Sequence, residues 1–212
     1  MKRIAVLASG SGTNLQALLD ASCTGALNAE IAVVVSHRGD CGALPRALAA
    51  GVAAVSLPLA DLRDPAVRAA YDRQLADILT VFAPDLIVLA GWMLILSPLF
   101  LDHFPGRIIN VHPALLPDGV GAEVFTSQGT LPVLRGPRTV RDALRHGFPI
   151  TGATVHYVTI TVDTGPVILR EEVPILAGDT EQTLHERIKR LEHRLLPRAV
   201  GMALAGVPGE EH

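Results

Sequence analysis

The chain has 212 residues, 49% of them apolar, enough to bury a sizeable core as a single compact domain. Eighteen Lys and Arg against 21 Asp and Glu give a net charge of -3. With no long basic run beside that balance, neither nucleic acid nor an anionic membrane is expected as a partner. Cys23 and Cys41 lack C-x-x-C spacing, so no zinc ribbon or disulfide framework is expected, and both read as small buried hydrophobes.

In chain order, "RIAVLA", "EIAVVVS", "AAVSL", "LIVLA" and "RIINV" are short apolar runs of strand character. Between them lie the amphipathic patterns "NLQALLDA", "ALPRALAAG" and "AVRAAYDRQLADILTVFA". Strands buried on both faces and alternating with helices predict an α/β fold with an open, mostly parallel, doubly wound, Rossmann-like sheet. The first apolar run stops at Gly10-Ser11-Gly12, too early for a secretory signal, and no later run reaches membrane-spanning length. A soluble, cytoplasmic protein is expected. Residues 118–138 carry four glycines and two prolines without a sustained period, which predicts a long loop with room for a short hairpin. A short helix at "TVRDALRHG", strands at "TGATVHYV" and "PVILREEVPI", and a closing C-terminal helix follow. Asp179 or Thr180 can cap that last helix, and Pro197 should end or bend it.

Ligands of such sheets bind beyond the carboxyl ends of the strands, where three stretches stand out. "ASGSGTN" has two glycines ahead of a helix N-terminus, suited to a monophosphate; it lacks a P-loop lysine and the third glycine of a dinucleotide fingerprint. "GWMLILS" offers large apolar side chains beside backbone polar groups, as a flat heterocycle requires, although ordinary core reads the same way. "INVHPALLP" ends an apolar strand on Asn110 and His112, two residues apart and so on one face. An amide donor beside an imidazole suits oxyanion stabilisation and proton transfer. Asp163 lies in a turn, where a carboxylate near His112 would orient and charge the ring. His185, Glu186, Glu192 and His193 on the last helix lack a third ligand set with metal spacing, so no metal site is expected. His37, His103 and His146 receive no role.

Together "IAVLASGSGTNLQALLD", "PDLIVLAGWMLILSP", "GRIINVHPALLP", "TGATVHYV" and "DTGPVI" resemble the phosphoribosylglycinamide formyltransferases, over about Lys2 to Val200. The resemblance implies the formyltransferase fold as one domain over 1–212. It also implies transfer of a formyl group from the co-substrate 10-formyltetrahydrofolate to glycinamide ribonucleotide, with no metal. It makes Asn110, His112 and Asp163 the catalytic trio, with His112 protonated. Gly12, Thr13, Asn14 and Glu192 become substrate-binding, and Arg68, Met93, Leu94, Ile95, Leu96 and Asn110 folate-binding. Partners would be these small molecules, with the chain a monomer or homodimer.

Two departures from the family pattern stand out. Leu94 replaces a common arginine, and Val140 a common polar residue. The stretch of about 118–135 is an insertion, open to reading as a lid, an oligomer contact or a disordered excursion, and is expected beside the cleft. Rival readings are a formyltetrahydrofolate deformylase, a non-catalytic phosphoribosyl-ligand sensor and, more distantly, a zinc hydrolase.

Overall fold

The computed structural model of the chain describes residues 1–61 and 63–206. Leu62 and residues 207–212, the end of the expected 1–212 domain, lie outside the described residues. The chain runs β1 (Lys2–Leu7), α1 (Thr13–Cys23), β2 (Ala29–Ser36), α2 (Ala43–Ala49), β3 (Ala53–Ser56), α3 (Pro65–Phe82), β4 (Leu86–Leu89), α4 (Pro98–His103) and β5 (Ile108–His112). A hairpin of β6 (Glu123–Thr126) and β7 (Gly129–Pro132) precedes α5 (Thr139–Arg145), β8 (Ile150–Tyr157), β9 (Val167–Pro174) and α6 (Glu181–Ala205).

Seven strands form one sheet in the order β3-β2-β1-β4-β5-β8-β9. The pairings among β1 to β5 are parallel, and β8 and β9 are added antiparallel. Side chains of a strand alternate between faces, so each buried strand feeds two cores. Ile4, Val6, Val88, Ile109 and Val111 pack with α1, α2 and α6. Ala5, Leu7, Ile87, Leu89 and Ile108 pack with Tyr71, Leu75 and Leu79 of α3 and Phe100 of α4. The sheet is therefore doubly wound, as its strand and helix pattern predicts.

Local chemistry sets the helix ends. The Asp64 carboxylate accepts from the Ala66 and Val67 amides, with Pro65 in the first turn of α3. Thr180, not Asp179, caps α6 through a reciprocal pair with Thr183. Helix α6 does not stop at Pro197 but runs on to Ala205. Leu191, Leu195, Leu196, Ala199, Val200 and Ala203 are all buried on its inner face, and that packing outweighs the roughly 3 kcal/mol penalty of an internal proline. Helix α4 has no counterpart in the sequence reading. It is one short turn and a half that Ser97 caps through the Phe100 amide, with Pro98 next in line. Cys23 is exposed, contrary to its reading as a buried hydrophobe, because it falls at the end of α1; Cys41 is buried. No helix among the described residues is long and apolar enough to cross a membrane.

Close packing of β8 on β9 depends on Gly152, where a Cβ would overlap the Glu171 carbonyl oxygen and the Leu115 side chain. Gly201, inside α6, has room for a methyl group: a Cβ there would meet only Leu27 Cδ1, at 3.9 Å. Gly152→Ala should lower stability by about 3 kcal/mol, whereas Gly201→Ala should raise it by up to about 1 kcal/mol. Urea unfolding of the two variants beside the parent chain checks both signs.

Candidate active site

The strand order places the reversal of winding between β1 and β4, where loops part and leave a crevice at the carboxyl ends of the strands. Leu7, Leu89, Asn110 and His156 are successive register partners across β1, β4, β5 and β8. The glycine loop after β1 thus lies two strand spacings from Asn110, about 10 Å.

Asn110 and His112 follow Ile108 on the α3 side of the sheet, beyond the point where the core ends. The exit of β5 is fixed by Thr154, the buried cross-strand partner of His112. Its hydroxyl donates to the Ala114 carbonyl at 2.8 Å and accepts the Leu116 amide at 3.0 Å. Thr139 at the start of α5 adds a hydrogen bond to the Pro113 carbonyl at 3.2 Å. The prolines after His112 therefore leave the sheet along a pinned path.

His156, directly opposite Asn110, joins the constellation. Its Nδ1 donates to the Tyr157 carbonyl at 2.9 Å, which leaves Nε2 facing the Asn110 Nδ2 at 3.3 Å. Asp163 closes the ring: its Oδ1 is 3.6 Å from His156 Nε2 and its Oδ2 is 3.5 Å from His112 Nδ1. The aspartate reaches in from a turn at φ 54°, a conformation costly for a side chain with a Cβ. The turn itself is packed tightly, since a Cβ at Gly165 would overlap the Tyr157 carbonyl. The Gly136 amide donates to Asp163 Oδ2 at 3.1 Å. His112 Nε2 donates to the carbonyl of Leu134 at 3.0 Å, so the end of the insertion touches the imidazole. The expectation that this segment lies beside the cleft holds.

Burial would raise the Asp163 carboxyl, but the neighbouring His156 and His112 rings and the Gly136 amide carry it the other way, to about 2. His112 moves oppositely to the sequence expectation. It is only 4% exposed, and burial pulls the imidazole below its usual 6.5, outweighing the Asp163 carboxylate and the Leu134 carbonyl, which push it up. Burial thus favours the neutral ring, while the carboxylate at Nδ1 and the carbonyl at Nε2 favour the charged one.

The glycine loop forms the second half of the crevice. Gly12, at φ 76°, is the N-cap of α1 and offers no side chain to the first-turn amides, Thr13 and Asn14 among them. A Cβ on Gly12 would also strike Ala43 at the start of α2. Asn14 Nδ2 donates to Glu192 Oε2 of α6 at 2.8 Å, while Asn14 Oδ1 is buried without a partner. Burial pushes the Glu192 carboxyl up, against the opposing effects of the Asn14 amide and Lys189.

Beyond β4 the apolar loop divides. Met93 and Ile95 are 64% and 70% exposed, whereas Trp92, Leu94 and Leu96 are buried in the α3 core. The side chains of Leu94 and Leu96 are thus core, and those two positions present only backbone to a ligand. Arg68 Nη2 donates to the Ile95 carbonyl at 2.6 Å and pairs with the buried Asp72, while its Nη1 has no partner. Trp92 Nε1 is likewise buried and unpaired. His37, without a sequence-based role, is hydrogen-bonded through Nδ1 to the Ser9 hydroxyl at 2.6 Å and meets the Trp92 ring edge-on. Val140 is buried in the α6-side core. Among the described residues no group of three or more His, Cys, Asp or Glu is arranged to hold a metal ion.

The structure brings together Asn110, His112 and Asp163, and separately Asn14 and Glu192. Sequence reasoning missed His156 and Arg135. A polar ring within the apolar "TGATVHYV" was the available signal for the first; nothing in the irregular insertion marked the second.

The sequence matches the formyl transferase family over residues 2–200. It is 41% identical over 197 residues to the phosphoribosylglycinamide formyltransferase of Escherichia coli (strain K12), covering 93% of this chain and 84% of that protein. The enzyme of the same name from Mycobacterium tuberculosis (strain CDC 1551 / Oshkosh) is 43% identical over 206 residues, covering 97% of this chain and 86% of that one. In three dimensions the chain superposes on glycinamide ribonucleotide transformylase 1 from Symbiobacterium toebii with a TM-score of 0.85 at 42% identity, covering 97% and 89% of the two chains. On this extent of match the chain belongs to the formyl transferase family.

Proposed function

We propose that the chain is a cytoplasmic phosphoribosylglycinamide formyltransferase, built as one formyltransferase domain. It transfers a formyl group from 10-formyltetrahydrofolate to the glycinamide amine of 5-phosphoribosylglycinamide, releasing the formylated ribonucleotide and tetrahydrofolate for purine synthesis. The family match and its named relatives support this reaction. The observation that carries it is the ring of Asn110, His156, Asp163 and His112, about 10 Å from a helix start whose amides have no side-chain cap.

The first-turn amides of α1, from Gly12 through Asn14, hold the substrate phosphate, and Asn14 and Glu192 meet its ribose side. Exposed Met93 and Ile95 flank the pterin; the backbone of Leu94 and Leu96 and the unpaired Nη1 of Arg68 supply polar contacts. The apolar slot and the donors left free in it fit a formylated folate. When bound, the folate supplies the formyl carbon and the nitrogen that leaves from it.

His112 works as a base rather than the protonated donor that the sequence suggests. As the amine nitrogen bonds to the formyl carbon, the proton it loses passes to the His112–Asp163 pair, where the carboxylate stabilises the imidazolium, and from there to the folate nitrogen as its bond to that carbon breaks. Asn110 Nδ2 uses one N–H on His156, and the second meets the charge that grows on the formyl oxygen. His156 thus sets the orientation of Asn110, and Asp163 that of both rings.

The direct test follows formyl consumption with and without the ribonucleotide. Consumption that requires the ribonucleotide and matches formylated product is expected; formate release without it would point to a deformylase instead. Asn110→Ala and His112→Ala should each lower kcat on the order of 10²- to 10³-fold. Because burial lowers the His112 pKa, kcat should stay level through neutral pH and fall only below about 6.5, as the ring takes its proton. Asp163 raises that pKa, so Asp163→Asn should move the acid limb to lower pH while reducing kcat. A pH profile of the parent and this variant reads both signs.

A further inference from the structure

Three consecutive residues at the end of the insertion surround the proposed base. The Leu134 carbonyl accepts from His112 Nε2, and the Gly136 amide donates to Asp163 Oδ2. Arg135, between them, points its guanidinium at the backbone. Its Nε donates to the Asp163 carbonyl at 3.0 Å, and its Nη2 to the carbonyls of Gly121 at 2.9 Å and Gly119 at 3.4 Å. One side chain therefore binds the entry of the insertion, its exit and the turn that carries Asp163.

That turn needs external support. Asp163 sits at φ 54°, and a residue with a Cβ held there costs roughly 1–3 kcal/mol unless its surroundings over-determine it. A planar guanidinium can serve three carbonyls at fixed angles, whereas an ammonium cannot reproduce that fork. The charged and titratable groups facing His112 are Asp163, His156 and Arg135.

Resting on the transfer reaction proposed above, we infer that Arg135 is a positioning residue. Its guanidinium fastens the end of the inserted hairpin to the Asp163 turn, so that the Leu134 carbonyl and the Asp163 carboxylate are held on the two nitrogens of His112. The insertion is then neither an idle excursion nor a free flap, but the strut that aims the base.

The test compares Arg135→Gln and Arg135→Lys with the parent chain, each first shown to melt cooperatively. In ¹⁵N-histidine NMR the parent should show a slowly exchanging Nε2–H signal from His112, and Arg135→Gln should lose it. Kinetically, Arg135→Gln should lower kcat on the order of tenfold or more, with KM for the ribonucleotide changed by less than about twofold. Its acid limb should move to higher pH, because a cation near the ring is gone. Arg135→Lys keeps the charge, so its limb should stay in place while kcat falls for want of the fork. A normal Nε2–H signal in Arg135→Gln overturns the inference, as does a kcat loss with the limb unmoved, which would mark a merely structural role. An inert parent would sink the transfer reaction instead, and the NMR signal would still decide whether Arg135 holds the ring.

Discussion

The Asp163 carboxylate is charged, 8% exposed at its side chain, and carried on a backbone conformation that aspartate does not favour. Each of those conditions would expel it from a structure that did not answer them. The answer is spread over three segments: the Gly136 amide and the Arg135 side chain at the end of the insertion, and one ring each from β5 and β8. Much of the local design follows from keeping this one anion ionised below the surface. The antiparallel pairing of β5 with β8 puts His156 opposite Asn110, and the close packing at Gly165 sets the depth of the turn.

The same carboxylate settles how burial can be useful at His112. An imidazole withdrawn from water prefers to be neutral, which makes it ready to accept a proton. The carboxylate beside it prevents the penalty from becoming so large that the proton is refused. The two opposing influences suit the role proposed for the ring, in which a proton is taken up and handed on within one turnover. At the other end of the crevice the balance is reversed. Glu192 is buried with only the Asn14 amide and Lys189 to favour its charge, and its pKa rises.

How much of this was legible in the sequence depends on the range of the forces involved. β1 to β5 and α1 to α3 are visible because burial on two faces writes itself into period and composition. Asn110 and His112 announced themselves as polar residues where an apolar strand should continue, and Gly12 as a turn before a helix. That α6 does not end at Pro197 is not legible locally, because propensity carries no information about the buried inner face of the helix. The downward direction of the His112 pKa is not legible in the sequence for a related reason. The neighbouring carboxylate could be guessed from the motif, but the depth of burial that outweighs it is a property of the assembled layers. Arg135 was beyond reach altogether, since its partners are three backbone carbonyls distant from it in the chain and carbonyls leave no trace in the residue code.

The edges of the sheet bear on how the molecule meets copies of itself. An open sheet presents unpaired amides and carbonyls along its outermost strands, and those invite a further strand from another chain. Here β3, at one edge, is only four residues long. The opposite edge, β9, carries Arg170, Glu171 and Glu172 in succession. Its first amide, Val167, is taken by the Asp118 carboxylate, and Glu172 holds the tip of the inserted hairpin through the Ser127 amide and hydroxyl. The insertion therefore guards the one long edge against strand-by-strand growth, so that a chain so rich in apolar β-structure resists fibrous association while it works.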